Sequence, residues 1–120
     1  MKIAIPVDKK DLNEKLAEHF GRATYFLIYD TETKDSKFIE NSAATSSGGA
    51  GIKAAQTVVD EGVEALITPR CGKNAAEVIK EADIKMYQSK DKTIQENIDD
   101  LIGGGLSLLE EIHSGFHGGR

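Results

Sequence analysis

The order of strand-like and helix-like patterns is the feature that most constrains the fold of this chain. Residues 2–7 have large apolar side chains at every second position, Ile3, Ile5 and Val7. Residues 24–30 are a β-branched and aromatic run, and residues 36–41 are a weaker apolar run. These patterns predict three consecutive strands, because alternation and β-branched side chains are typical of sheets.

The second half of the chain alternates helices with strands. Apolar residues at helical spacing between Ile52 and Val59 predict a helix that ends at Gly62, and the apolar run over residues 63–68 predicts a buried strand. The elements predicted after these are a helix beginning near Asn74, a strand over residues 84–87 and a helix over residues 94–102. The predicted order is therefore β-β-β-α-β-α-β-α.

Two capping boxes mark predicted helix starts. Asn74 pairs with Glu77 in the first, and Thr93 pairs with Glu96 in the second. Weaker apolar spacing favours two more short helical segments, within residues 8–23 and over residues 106–112.

This order of elements predicts an α/β fold with a mixed five-stranded sheet. The first three strands form a meander, so strand two runs antiparallel to strands one and three. Right-handed crossovers through helices then place strands four and five parallel to strand three. The loops after strands one, three and four consequently leave the same edge of the sheet, which is where open α/β sheets usually bind ligands.

Length and charge limit the classes of protein that fit. The 120 residues predict one domain over residues 1–112 and a flexible glycine- and histidine-containing tail over residues 113–120. A formal net charge of -5 disfavours nucleic acid and anionic membranes as partners, and no apolar run is long enough to span a membrane. With no signal-peptide pattern and a lone cysteine, we expect a cytoplasmic protein.

Three polar, glycine-containing segments fall in or next to these loops, at residues 19–23, 47–51 and 69–75. In the first, His19 is either a transition-metal ligand or an ordinary surface histidine. Two neighbours favour a ligand site, because Gly21 permits close backbone approach and Arg22 offers a forked cation to an anion.

The second segment carries Gly48, Gly49 and Gly51 at the start of the first helix. Free amides at a helix N-terminus can hold an anion, and glycines let the ligand approach them. The cluster matches neither the P-loop nor the Rossmann pattern, so a flexible connection is the alternative interpretation.

The third segment carries the only cysteine, Cys71, followed by Gly72, Lys73 and Asn74. The helix N-terminus and the flanking Arg70 and Lys73 predict an accessible thiolate with a lowered pKa, able to ligate a soft metal or to act as a nucleophile. The alternative is a buried cysteine that packs as a small hydrophobic side chain. One histidine and one cysteine cannot complete a zinc site, so a metal would bind as a preassembled cluster or be shared between chains.

Together these segments resemble the dinitrogenase iron–molybdenum cofactor biosynthesis family. The resemblance spans about residues 1–103 and rests on MKIAIPV at the N-terminus, EHFGRA at residues 18–23, the glycines at 48–51 and CGKNAA at residues 71–76. It implies a three-layer α/β/α fold with a ribonuclease H-like motif and a mixed five-stranded sheet. It also implies non-catalytic binding or carriage of an iron–molybdenum or related iron–sulfur cluster, exchanged with cluster donor and acceptor proteins.

On this interpretation His19 and Cys71 are the candidate metal ligands, and we expect a monomer or weak oligomer. A small thiol-dependent redox enzyme that uses Cys71, and a regulatory domain without a cofactor, are the alternatives. The candidate cofactor-binding residues are His19, Gly21, Arg22, Gly48, Gly49, Gly51, Cys71, Gly72, Lys73 and Asn74.

Overall fold

A mixed five-stranded sheet forms the centre of the computed structural model, which describes residues 1–45 and 48–109. Within these residues the strands are β1 (Lys2–Val7), β2 (Tyr25–Asp30), β3 (Ser36–Glu40), β4 (Ala65–Thr68) and β5 (Lys85–Gln88). The helices are α1 (Ala50–Asp60), α2 (Lys73–Glu81) and α3 (Ile94–Ile102), with a short 3₁₀ helix at Ser42–Thr45. The predicted order of strands and longer helices is confirmed.

The strand directions place the candidate segments at one end of the sheet. The strand order is β3-β2-β1-β4-β5, with β2 antiparallel to β1 and β3, and with β4 parallel to β1 and β5. The strands β1, β3, β4 and β5 therefore end at one edge, which we call the carboxyl edge. The loops after β1, β3 and β4 leave from this edge, as the order of elements predicted.

Helices cover both faces of the sheet. The side chains of Ala4, Phe26 and Leu66 pack with α1 and α2, whereas Ile5 and Leu27 pack with α3. Successive residues of a strand point to opposite faces, so each of these strands contributes to both apolar layers. The predicted three-layer α/β/α arrangement is confirmed. No described helix has the length and apolar character that a membrane crossing requires.

Residues 8–23 do not form the predicted helical segment. They run as turns beside the start of α3, where the Glu14 carbonyl accepts a hydrogen bond from the Ile94 N–H at 2.8 Å. Leu12 and Leu16 pack against the apolar layer that contains α3. The four-residue spacing of Leu12 and Leu16 therefore reflects packing against the α3 layer. The backbone of this segment forms hydrogen bonds with the start of α3 instead of the bonds of a local helix.

Residues 106–109 are extended, so the helical prediction is wrong for them too. The Ser107 carbonyl accepts from the Gln88 N–H at 2.8 Å, and the Leu109 N–H donates to the Met86 carbonyl at 2.8 Å. This antiparallel pairing covers the outer edge of β5 and satisfies backbone groups that an open edge leaves unpaired. Outside the described residues lie positions 110–112 of that predicted helix, the predicted domain boundary after residue 112 and the predicted tail over residues 113–120.

The two predicted capping boxes have different outcomes. At α3, the Glu96 N–H donates to Thr93 Oγ1 at 3.1 Å and the Thr93 N–H donates to Glu96 Oε1 at 3.0 Å, which confirms the second box. The box of Asn74 and Glu77 is wrong, because the N-cap of α2 is Gly72, two residues before Asn74. Asn74 is therefore already inside the first turn, where its side chain cannot cap the helix.

Candidate functional site

The three candidate segments converge on one cavity of about 590 Å³. Its walls are residues 19–21 from the loop after β1, residues 49–52 at the start of α1, and residues 70 and 72–75 at the start of α2. The topology explains the convergence, because all three segments are attached to the carboxyl edge of the sheet. We call this space the loop cavity.

Phe20 anchors the loop that carries His19. The Phe20 ring is buried and packs against Phe26 of β2, with the ring centroids 5.2 Å apart and the ring planes tilted by 51°. Tilted aromatic pairs stabilise a packed structure beyond the area that they bury. With Phe20 turned inward, His19 remains exposed on the wall of the loop cavity.

The same loop touches the start of α1 at Gly21. A Cβ atom added to Gly21 would lie 3.1 Å from both the Cα and the N of Gly51, which is tighter than nine in ten real Cβ contacts. Glycine at position 21 therefore lets the two backbones approach each other. This contact fixes the His19 loop relative to the first-turn amides of α1.

Two helix N-termini open into the loop cavity without side-chain caps. The N-cap residues are Gly49 for α1, with φ 68°, and Gly72 for α2, and neither helix has a side-chain cap hydrogen bond. First-turn N–H groups have no acceptor within their own helix, and they form the positive end of the helix dipole. Backbone amides arranged in this way suit an anionic ligand.

The wall of the loop cavity is cationic although the chain is acidic. Arg70 and Lys73 line it, and none of the described lining residues is an aspartate or a glutamate. The whole chain, in contrast, has 20 acidic residues against 15 Lys and Arg. Cations gathered on a concave surface concentrate the positive potential there, so the cavity favours anions over cations.

Two hydrogen bonds hold the loop that carries Arg70. The buried Thr68 hydroxyl donates to the Arg70 carbonyl at 2.9 Å, and Gln88 Nε2 donates to the Pro69 carbonyl at 2.8 Å. Sequence reasoning missed Thr68 and Gln88, because a polar residue at the end of a strand gives no pattern of its own. The signal that could have identified Thr68 and Gln88 was their position at the strand ends that form the carboxyl edge.

Three of the predicted site residues, Arg22, Gly48 and Cys71, do not line the loop cavity. Arg22 Nη1 donates to the Ala44 carbonyl at 2.9 Å, and Arg22 lines a neighbouring cavity of about 330 Å³ with Asp8 and Glu18. It joins the loop after β1 to the connection between β3 and α1. Gly48 precedes the lining residues of α1, and residues 46–47 lie outside the described ranges.

Cys71 lies in the core behind the loop cavity. Its side chain is 1% exposed and belongs to the apolar cluster that includes Ala54 and Ala75. Burial raises the pKa of the thiol from 9.0 to about 11, because apolar surroundings disfavour the charged thiolate. The prediction of an accessible thiolate with a lowered pKa is wrong, since a place before a helix does not fix which way a side chain points.

Native Cys71 should therefore react with iodoacetamide much more slowly than the same thiol in urea-unfolded protein. Because its folded pKa lies above its unfolded pKa, the stability due to the neutral thiol is complete below pH 9.0 and falls as pH rises toward about 11. Urea denaturation at several pH values between 9.0 and about 11 checks that the free energy of unfolding falls as pH rises. Cys71→Ala is the control, because it removes the contribution of the thiol. Fast native alkylation with a midpoint at or below about 8.5 would contradict the burial.

The described residues do not supply a complete ligand set for a single metal ion. Within residues 1–45 and 48–109, no group of three or more His, Cys, Asp or Glu side chains is placed to hold one. His19 is exposed on the cavity wall, which also carries Arg70, Lys73 and the first residues of α1 and α2. The lining therefore suits an anionic ligand better than a bare cation.

Comparison with known proteins identifies the family of the chain. The family model described as dinitrogenase iron–molybdenum cofactor matches residues 1–104, a range that includes all three loops. The chain belongs to the dinitrogenase iron–molybdenum cofactor family.

Relatives of this dinitrogenase iron–molybdenum cofactor family member match it along most of their length. An uncharacterised protein of Methanocaldococcus jannaschii is 34% identical over 113 residues, 92% of each chain. The apo form of the orange protein from Desulfovibrio gigas has a TM-score of 0.85 at 28% identity, covering 91% of this chain and 92% of that one. An NMR structure of a candidate NifB protein from Thermotoga has a TM-score of 0.80 at 40% identity, covering 92% and 95%.

Proposed function

We propose that this protein binds and carries a preassembled iron–molybdenum or related iron–sulfur cluster in the loop cavity, without catalysing a reaction. The observation that carries the proposal is that two helix N-termini without side-chain caps meet Arg70 and Lys73 in a cavity whose described lining residues include no aspartate or glutamate. A sulfide-rich cluster is anionic, and its sulfides accept hydrogen bonds from backbone amides.

His19 is the proposed direct ligand. It is exposed on the cavity wall, and an imidazole nitrogen suits iron and other transition metals. Gly21, Gly49, Gly51 and Gly72 keep the wall open, so that amides rather than side chains face the cargo. One direct ligand holds the cargo weakly enough to be passed on, which fits exchange with cluster donor and acceptor proteins.

The similar proteins support the same class of function. The matching family model is described by the dinitrogenase iron–molybdenum cofactor, and one similar structure is that of a candidate NifB protein. The orange protein structure, described as an apo form, has the same fold over 91% of this chain. These likenesses favour handling of a metal cofactor over the two alternative functions.

The alternative of a thiol-dependent enzyme is disfavoured by the position of Cys71. A nucleophilic thiol must reach its substrate as a thiolate, whereas this one is 1% exposed and has a raised pKa of about 11. The alternative of a regulatory domain without a cofactor predicts that no cargo is retained, so a loading experiment separates it from carriage.

Anaerobic incubation with a mixture of preformed iron–sulfur and iron–molybdenum–sulfur clusters, followed by gel filtration, is the test of the proposal. We expect iron and sulfide to elute with the protein, and the protein fraction to absorb visible light. The elution volume should correspond to a monomer or a weak oligomer. Molybdenum analysis of the same fraction distinguishes an iron–molybdenum cargo from an iron–sulfur one. Protein that elutes colourless and free of metal would overturn the proposal.

His19→Ala should lower cluster occupancy at limiting cluster by at least roughly tenfold, the loss that weakening a metal ligand shell typically causes. Because His19 is exposed, the thermal midpoint should stay close to that of the unmodified protein. Glu18→Ala is the matched control, since Glu18 is the exposed neighbour in the chain and is not a lining residue of the loop cavity. Equal occupancy in His19→Ala and Glu18→Ala would remove His19 from the site.

A further inference from the structure

Asn41 is a buried polar residue at the end of β3, with its side chain fully engaged in hydrogen bonds. It is 4% exposed. Its Nδ2 donates to the Gly21 carbonyl at 3.2 Å and to the Ala23 carbonyl at 2.9 Å, and its Oδ1 accepts from the Ala43 N–H at 3.2 Å. Both hydrogens of the amide and its oxygen are therefore in use, which fixes the orientation of the side chain.

These bonds join one wall of the loop cavity to the connection between β3 and α1. The acceptors, Gly21 and Ala23, lie two and four residues after His19 in the loop after β1, while Asn41 begins the connection that leads to α1. Backbone bonds strengthen the junction, because the Asn41 N–H donates to the Thr24 carbonyl at 3.1 Å. The close contact between Gly21 and Gly51 lies at the other side of the same junction.

We propose that Asn41 is a positioning residue for the loop cavity, and that it sets the affinity for the cargo by holding the His19 loop against the N-terminus of α1. This inference rests on the proposed function. Asn41 does not line the cavity, so it acts through Gly21 and His19 rather than by touching the cargo. Groups that orient a ligand in this way often matter nearly as much as the ligand itself.

The fold supplies a matched control in Asn97 of α3. Asn97 is 0% exposed, and its Nδ2 donates to the carbonyls of Lys90 at 3.1 Å and Thr93 at 3.0 Å. Its Oδ1 accepts from the Lys90 N–H at 2.8 Å. The two asparagines therefore tie down loops by the same chemistry, but residues 89–93 do not line the loop cavity.

The experiment compares Asn41→Asp with Asn97→Asp, and adds Asn41→Ser in case the first variant does not fold. An aspartate carboxylate accepts hydrogen bonds but donates none, so it cannot replace the bonds to the Gly21 and Ala23 carbonyls. A serine side chain is too short to reach these carbonyls. We expect substitution of either asparagine to lower the thermal midpoint. At limiting amounts of the preformed clusters, the Asn41 variants should lose about 10- to 100-fold in cluster affinity, while Asn97→Asp keeps it.

A second readout uses the cargo-free proteins. In ¹H–¹⁵N spectra, the Asn41 variants should shift the His19, Gly21 and Gly51 amides, and Asn97→Asp should leave them in place. Unchanged affinity in the Asn41 variants, or losses in all variants that merely follow stability, would overturn the proposal. If the unmodified protein loads no cluster, the proposed function fails, and unchanged amide shifts would then also overturn the positioning role of Asn41.

Discussion

Lys73→Glu is expected to weaken cluster binding roughly 30- to 100-fold while leaving the fold slightly more stable. Reversing a charge about 8 Å from a singly charged anion costs ~4 kcal/mol at an effective dielectric of about 20, before salt screening reduces it. Lys73 lines the loop cavity and is the first residue of α2, where an anionic side chain suits the helix dipole and adds ~0.3–1 kcal/mol. Affinity and stability should therefore move in opposite directions.

Lys80→Glu is the control at the other end of the same helix. Lys80 is the basic residue in the last turn of α2, and like Lys73 it is exposed. The same change of charge should lower the thermal midpoint there, because an anion opposes the C-terminal end of the dipole. Cluster loading should stay unchanged. Equal loss of loading in the two variants would mean that net charge, rather than the cavity wall, determines binding.

Gly21→Ala should lower the free energy of unfolding by about 1–3 kcal/mol, the usual cost of inserting a methyl group into a packed site. The new Cβ would lie 3.1 Å from the backbone of Gly51, and backbone cannot rotate away as a flexible side chain can. Urea denaturation measures the change. Cluster loading should fall as well, because the His19 loop and α1 must separate to admit the methyl group.

Gly72→Ala is the stability control for this prediction. A Cβ at Gly72 meets nothing within 4 Å, and its φ of -67° is ordinary for any residue. Its free energy of unfolding should therefore stay within about 0.5 kcal/mol of the unmodified protein. If Gly21→Ala were as stable as Gly72→Ala, the approach of the two backbones would not be a constraint on the fold.

The sequence predicts the fold well where patterns are long and connections are chiral. Alternation and helical spacing located the five strands and the three helices, and the crossover rule gave their directions. The failures lie in residues 8–23 and 106–109, where backbone groups bond across the fold to α3 and β5. Such segments have apolar spacing without local hydrogen bonds, and no single-sequence pattern distinguishes them from short helices.

For the candidate site, sequence located the loops but not the directions of their side chains. His19 and Lys73 line the loop cavity, whereas Cys71 faces the core and Arg22 faces the backbone of Ala44. Asn41 escaped notice because an asparagine after a strand usually belongs to a turn. Its role depends on carbonyls about 20 positions away in the chain, as the separation of 20 residues to Gly21 shows.

The difference between the helix starts has a consequence for how the protein can be assayed. Thr93 and Glu96 satisfy the amides at the start of α3, but α1 and α2 begin without side-chain caps. An anion that bonds those amides stabilises only the folded state, and at 100 times its dissociation constant it would add ~2.7 kcal/mol to the free energy of unfolding. The rise in melting temperature then reports how much of the protein is occupied, whether or not the ligand absorbs visible light. Colourless inorganic anions and metal–sulfur clusters can therefore be ranked by affinity in the same assay.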